Sequence, residues 1–172
     1  MNFDFWKLFY LITFFIGIVL FIFEINIYHN TIIHIYIPGS VVVITGLATF
    51  YFNRGHYKRT YSVKSNFFPL MQNFISWGFI SCYIFMAINY YAASKPAAEY
   101  QFEIKDKYSL RGPKRHRHER RPVVVINYFN IEKKMFFRFN DTEKVDNADS
   151  LILYVKKGEL GFDVIESYEL TH

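Results

Sequence analysis

The chain has 172 residues, of which 52% are hydrophobic and 21% aromatic, and its formal charge is +5. The apolar residues are too unevenly placed for one water-soluble core, and the charge is too small and too scattered for a nucleic-acid surface. A lone cysteine, Cys82, excludes an intrachain disulfide and any CxxC redox or zinc site.

Residues 1–93 hold five Lys or Arg and two acids, whereas 94–172 hold fifteen and thirteen. The expected architecture is therefore a transmembrane α-helical domain over 1–93 with three spans, at about 6–26, 32–52 and 67–92. A small all-β antiparallel domain, a sandwich or partly open barrel, is expected to follow over 94–172.

The first run, Leu8 to Phe23, is uncharged between Lys7 and Glu24 and reaches spanning length with its flanks. Phe23-Glu24-Ile25-Asn26 offers no small-x-small cleavage site, so the run reads as a retained signal anchor. Glu24 to Thr31 reads as a loop. The second run, Ile32 to Phe52, carries Pro38 in its second turn, where a bend is expected. Gly39, Val43 and Gly46 share one face of it and invite close approach of another helix. The third run starts with Pro69 in its first turn and ends in the interfacial pair Tyr90-Tyr91. Gly78, with Ser81 and Cys82 nearby, gives a second narrow surface, and Asn73 and Ser76 are placed to hydrogen-bond a neighbouring helix. His34 is expected at the interface.

Asn53 to Ser65 carries four basic residues and no acid, so this loop is expected on the cytoplasmic side. The N-terminus is then cytoplasmic, and the C-terminal domain lies outside a plasma (inner) membrane. The spans hold no charged residue between their flanks, which is poor material for an ion or proton pathway.

Beyond Ala93 the period becomes two. Expected strands are Tyr100 to Leu110, Val123 to Phe129, Lys134 to Phe139, Leu151 to Val155 and Phe162 to Tyr168. Arg111-Gly112-Pro113, Asn140-Asp141, and Lys157-Gly158 with Gly161 mark the turns. Arg111, Lys114, Arg115, Arg117, Arg120 and Arg121 give residues 111–121 a charge of +5, while 132–172 balance at −3. Guanidinium forks suit phosphate or carboxylate, so these six residues are the candidate site for an anionic lipid, a glycan or an acidic partner. The opposite charges of the two segments also suit pairing with a second copy. Stacking aromatics are missing from the basic run, and nucleic acid is not expected.

His116 and His118 have spacing for two metal ligands, but the surrounding arginines oppose a cation. Asp141, Glu143, Asp146 and Asp149 lack the EF-hand glycine and closing glutamate and read as solvated acids. No nucleophile with a base, paired carboxylates or phosphate loop stands at suitable spacing. The expectation is a non-enzymatic envelope protein without cofactor or metal, whose β domain contacts a protein or an anionic surface. The alternative is an accessory or channel-like subunit, with Gly39, Gly46, Asn73 and Gly78 as helix-packing positions. No residue role is carried over from a known family.

Overall fold

A computed structural model describes residues 5–94, 97–111 and 120–171. Three long apolar helices are followed by a five-stranded antiparallel sheet curled into a half-barrel. The chain divides into two units, with Asn30–Ile32 belonging to the sheet rather than to the helices around it.

In the helical unit, α1 is Phe5–His29 and α2 is Tyr36–Tyr61. The third span runs as α3 (Phe67–Asn73), a π-helical turn (Phe74–Gly78) and α4 (Phe79–Tyr91). Each span has 25 or 26 residues, about 37 Å at 1.5 Å per residue, against a hydrocarbon core of about 30 Å. Their outer surfaces are apolar: Phe15 is 56% exposed, Ile44 66% and Phe52 80%. Exposure on that scale is stable only in a non-aqueous surrounding, which identifies the helices as candidate membrane spans.

Two boundaries differ from the expectation. α1 continues through Glu24, because Glu24 and Ile27 extend the buried stripe of Tyr10, Thr13 and Gly17. α2 starts at Tyr36, so Pro38 lies in the first turn, where no intrahelical N–H is needed and no bend is required. Arg54, Lys58 and Arg59 consequently lie on α2 rather than in a loop.

The third span packs against both other helices, and its π turn makes the closest contacts. A Cβ at Gly17 would stand 2.0 Å from the Ile75 carbonyl oxygen. At Gly46 it would meet the Phe74 ring at 2.9 Å, and at Gly78 the Val42 side chain at 3.0 Å. Around Gly39 nothing lies within 4 Å, and Val43 is 46% exposed. The packed face of α2 therefore runs through Pro38, Val42 and Gly46, not through Gly39 and Val43. π turns widen the helix by one residue and reorient its carbonyls, which is how a backbone oxygen comes to face α1.

In the sheet unit, the strands β1 (Ala98–Arg111), β2 (Arg120–Tyr128), β3 (Ile131–Phe136), β4 (Ser150–Lys157) and β5 (Asp163–Thr171) order as β3-β2-β1-β4-β5. Phe102, Ile104, Val124, Ile126, Tyr128, Met135, Leu151, Leu153, Val155 and Ile165 form the inner face, joined by Ile32 from the first loop. The short helix α5 (Thr142–Asn147) buries Val145 against it, and Lys107 donates to the Asp146 carbonyl at 2.9 Å. This helix stands where a loop of solvated acids was expected. The register shifts between Ile104 and Asp106 and between Tyr154 and Val155. Each bulge adds one residue to one strand, which bends a flat sheet into a curl.

The edge strands meet at a seam. Thr31 bridges to Val164, Ile32 N–H donates to the Asp163 carbonyl at 2.8 Å, and Lys133 of β3 donates to the Thr31 carbonyl at 2.7 Å. Further along, Tyr168 donates to the Phe136 carbonyl at 2.9 Å. The β2–β3 turn places Phe129 at φ +41° and Asn130 at φ +76°, the paired positive values of a type I′ hairpin. Such a conformation costs a non-glycine residue roughly 1–2 kcal/mol.

The glycine contacts give a graded expectation for stability in detergent. Gly17→Ala should destabilise most, at the upper end of roughly 1–3 kcal/mol or beyond, because its obstacle is backbone. Gly46→Ala should cost less, since the Phe74 ring can rotate, and Gly39→Ala should be neutral. Thermal aggregation curves of the purified variants check the order.

Candidate functional site

Within the sheet unit the two ends differ chemically. Asn30–Ile32 pairs beside Asp163–Ile165, and Ser94 N–H donates to the Lys157 carbonyl at 2.8 Å. Both segments continue directly into candidate spans, so both chain exits leave from one end of the sheet. The opposite end carries the β1–β2 connection.

At that far end Arg111 is the direct cross-strand partner of Arg120, and Arg121 stands opposite Leu110. Like charges facing each other across a ladder destabilise it. Elsewhere in the unit, four lysines face carboxylates: Lys105 with Glu132, Lys156 with Glu166, Lys157 with Asp163 at 3.1 Å and Lys144 with Asp141 at 3.7 Å. Lys105 also holds the Glu132 carboxyl below its ordinary range, through a hydrogen bond and its charge. Among the described residues no carboxylate pairs with Arg111, Arg120 or Arg121. Lys114, Arg115, Arg117, His116 and His118 lie outside the described residues.

The structure adds Arg138, which the sequence did not single out. Phe137 N–H donates to the Pro122 carbonyl at 3.0 Å, which brings the next residue, Arg138, alongside Arg121. Arg138 lines an open cleft of about 600 Å³ with Lys144, Asp141, Tyr168 and Glu169. The signal lay in a long-range backbone bond, not in local spacing. Burial, with Asp141 nearby, raises the pKa of Tyr168, so its hydroxyl is a neutral donor in this cleft.

Near the exits, Lys133 is 8% exposed and its amino group lies against the Thr31 carbonyl. Burial pushes its pKa down to about 8. Tyr128, whose hydroxyl donates to Asp163 at 2.9 Å, is held well above its ordinary range by burial and by that carboxylate.

The helical unit contains two polar clusters. Glu24 is 8% exposed inside α1. Cys82 Sγ lies 3.0 Å from Glu24 Oε1 and 3.4 Å from the Pro38 carbonyl, while Glu24 Oε2 is buried with no hydrogen-bond partner among the described residues. This corrects the expectation that no acid lies within the spans. Glu24 falls on the stripe that also carries Thr13 and Gly17, a periodicity visible in the sequence. Nearer the other end, Tyr10 Oη and His56 Nδ1 are 2.9 Å apart, and Gln72 donates to the Tyr10 carbonyl and to Ser76 Oγ. Asn73 accepts from Asn53 of α2 at 3.3 Å and donates to the Pro69 carbonyl. Ser76 thus bonds within its own span, while Asn73 reaches a neighbour. Gly46 and Gly78 contact helices of the same chain.

Asp141, Glu143, Asp146 and Asp149 are spread over α5 and its flanks, and no metal-ligating group of three or more forms among the described residues. Comparisons with protein-family models, with curated proteins and with solved structures find no match to this chain.

Lys133 yields a pH signature. Its folded pKa of about 8 lies below the value of about 10.4 for an exposed lysine, so the unfolded chain binds the extra proton between those limits. Stability of the sheet unit should therefore rise with pH from about 8, by up to about 3 kcal/mol in all. Tyr128 and Tyr168, with raised values, oppose the trend at higher pH. Urea titrations from pH 7 to 9.5, read by proteolysis of the sheet unit, should show this slope in the natural chain. The slope should be absent in Lys133→Met.

Proposed function

We propose that this chain is a non-enzymatic, multi-pass membrane protein of the cell envelope whose β domain binds an acidic partner or an anionic surface. The observation that carries the reading is the arginine cluster of Arg111, Arg120 and Arg121, with Arg138 alongside, at the sheet end away from both chain exits. A fold that pairs four of its lysines with carboxylates while placing two arginines face to face leaves a site for external anions. β1 has 14 residues, roughly 45 Å at about 3.3 Å each, so the length of the sheet separates the arginines from the chain exits.

For sidedness, Asn30–Ile32 and the C-terminal strands share one unit, so an even number of crossings separates them, as the second and third spans supply. Arg54, Lys58, Arg59 and Lys64 fall at the other end of α2, which supports a cytoplasmic N-terminus and an extracytoplasmic β domain in a plasma (inner) membrane. Thr60→Cys should resist an impermeant thiol reagent applied to intact cells, and Glu143→Cys should react. The reverse pattern would invert the orientation.

The binding proposal is tested by changing Arg111, Lys114, Arg115, Arg117, Arg120 and Arg121 together to Ser. Crosslinked membranes should then lose partners that co-purify with the natural chain, and the remaining binding should lose most of its salt dependence. Undiminished recovery would dismiss the arginine site.

A second reading, an accessory or channel-like subunit, is favoured by Glu24, since an ionisable group inside a span is a candidate element of an ion path. Proteoliposomes should then show cation flux that Glu24→Gln abolishes. A tight bilayer with both chains removes this reading for the chain alone.

A further inference from the structure

The hairpin tips at the chain-exit end of the sheet carry large exposed apolar side chains. Phe129, in the β2–β3 turn, is 66% exposed, and Leu160, in the β4–β5 connection, is 41% exposed. Exposure alone does not distinguish this end, because Leu110 and Phe139 are exposed toward the other. Two independent observations do.

The first is conformational. Phe129 occupies a positive-φ position that Asn or Gly adopts with least strain, so a phenylalanine there opposes the local backbone preference. Its ring stays two-thirds exposed, yet it is set against three other rings. Tyr100 and Phe102 stand edge-on to it at 5.8 Å and Tyr128 at 4.9 Å. The result is a rigid aromatic platform aimed at solvent.

The second is covalent reach. Asn30 follows the last residue of α1 directly, and Ser94, anchored on Lys157, is three residues beyond the last residue of α4. At about 3.5 Å per residue, this sheet end is tethered within roughly 10 Å of two span termini. The polar interface of one leaflet is itself several ångströms thick, and tyrosine and other amphipathic aromatics settle there.

We propose that Phe129, with Tyr100 and the tip residue Leu160, forms a lipid-contacting face that seats the β domain in the headgroup region of the bilayer crossed by its own helices. The face is separate from the arginine end and stands whether or not that end binds anions.

The test places a tryptophan at this tip (Phe129→Trp) in the full-length chain, with Trp6 and Trp77 changed to Phe, in phosphatidylcholine vesicles. Blue-shifted emission with strong quenching by lipids brominated near the headgroup is expected. The same background with Leu110→Trp should instead be quenched by aqueous iodide and ignore the brominated lipid. Iodide quenching of the Phe129→Trp chain without a bromolipid effect would overturn the proposal. So would protection from both quenchers, which marks a protein-covered surface. Phe129→Gly separates lipid contact from folding. The sheet unit should stay protease-resistant in detergent, and collapse of that resistance would assign the ring a structural role instead.

Discussion

The outward apolar faces of the three candidate spans are the constraint on which the rest of this structure depends. Phe15, Ile44 and Phe52 face outward with half or more of their surfaces uncovered, an arrangement that water would penalise at about 25 cal/mol for each Å². Once hydrocarbon surrounds the helices, apolar burial no longer drives them together, and close backbone approach with polar contacts takes over. Gly17 against Ile75, Gly46 against Phe74 and Gly78 against Val42 supply the approach. Asn53 with Asn73, and Cys82 with Glu24, supply the polar contacts. The π turn belongs to the same logic, since it presents a carbonyl where only a glycine hydrogen leaves room.

Outside the helices the governing force reverses and a conventional hydrophobic core forms. β2 contributes Val124, Ile126 and Tyr128 to it, while β4 and β5 contribute Leu151, Leu153, Val155 and Ile165. Two bulges curl the sheet, and its free edges are drawn together by Lys133, Thr31 and Tyr168 rather than by a continuous ladder. Closing an edge with a buried lysine is unfavourable for the charged amine, and the depressed pKa of Lys133 reflects that desolvation.

Much of this was legible from residue order. The three spans follow from uncharged runs of sufficient length, and all five strands from period two between turn residues. Glu24 was misplaced because a charge next to an apolar run reads as the end of a span, although the stripe through Thr13 and Gly17 passes through it. The start of α2 was displaced because Ile32 and Ile33 are as apolar as the span itself, while Ile32 is used by the sheet core. A single bridging residue such as Thr31 has no periodicity to detect, and Phe129-Asn130 lacks the glycine that usually announces a type I′ turn. Arg111, Arg120 and Arg121 were found by composition, whereas Arg138 needed the fold to bring it close.

The seam also orders events during synthesis. Thr31 leaves the ribosome 102 residues ahead of Lys133 and still earlier than Val164, which pairs with it. The segment around Thr31 must therefore wait for its strand partner while two more helices and four strands are made. Closure of the half-barrel thus depends on the second and third candidate spans acting as a pair, because a chain that crossed with only one of them would leave Thr31 and Val164 on opposite sides of a membrane.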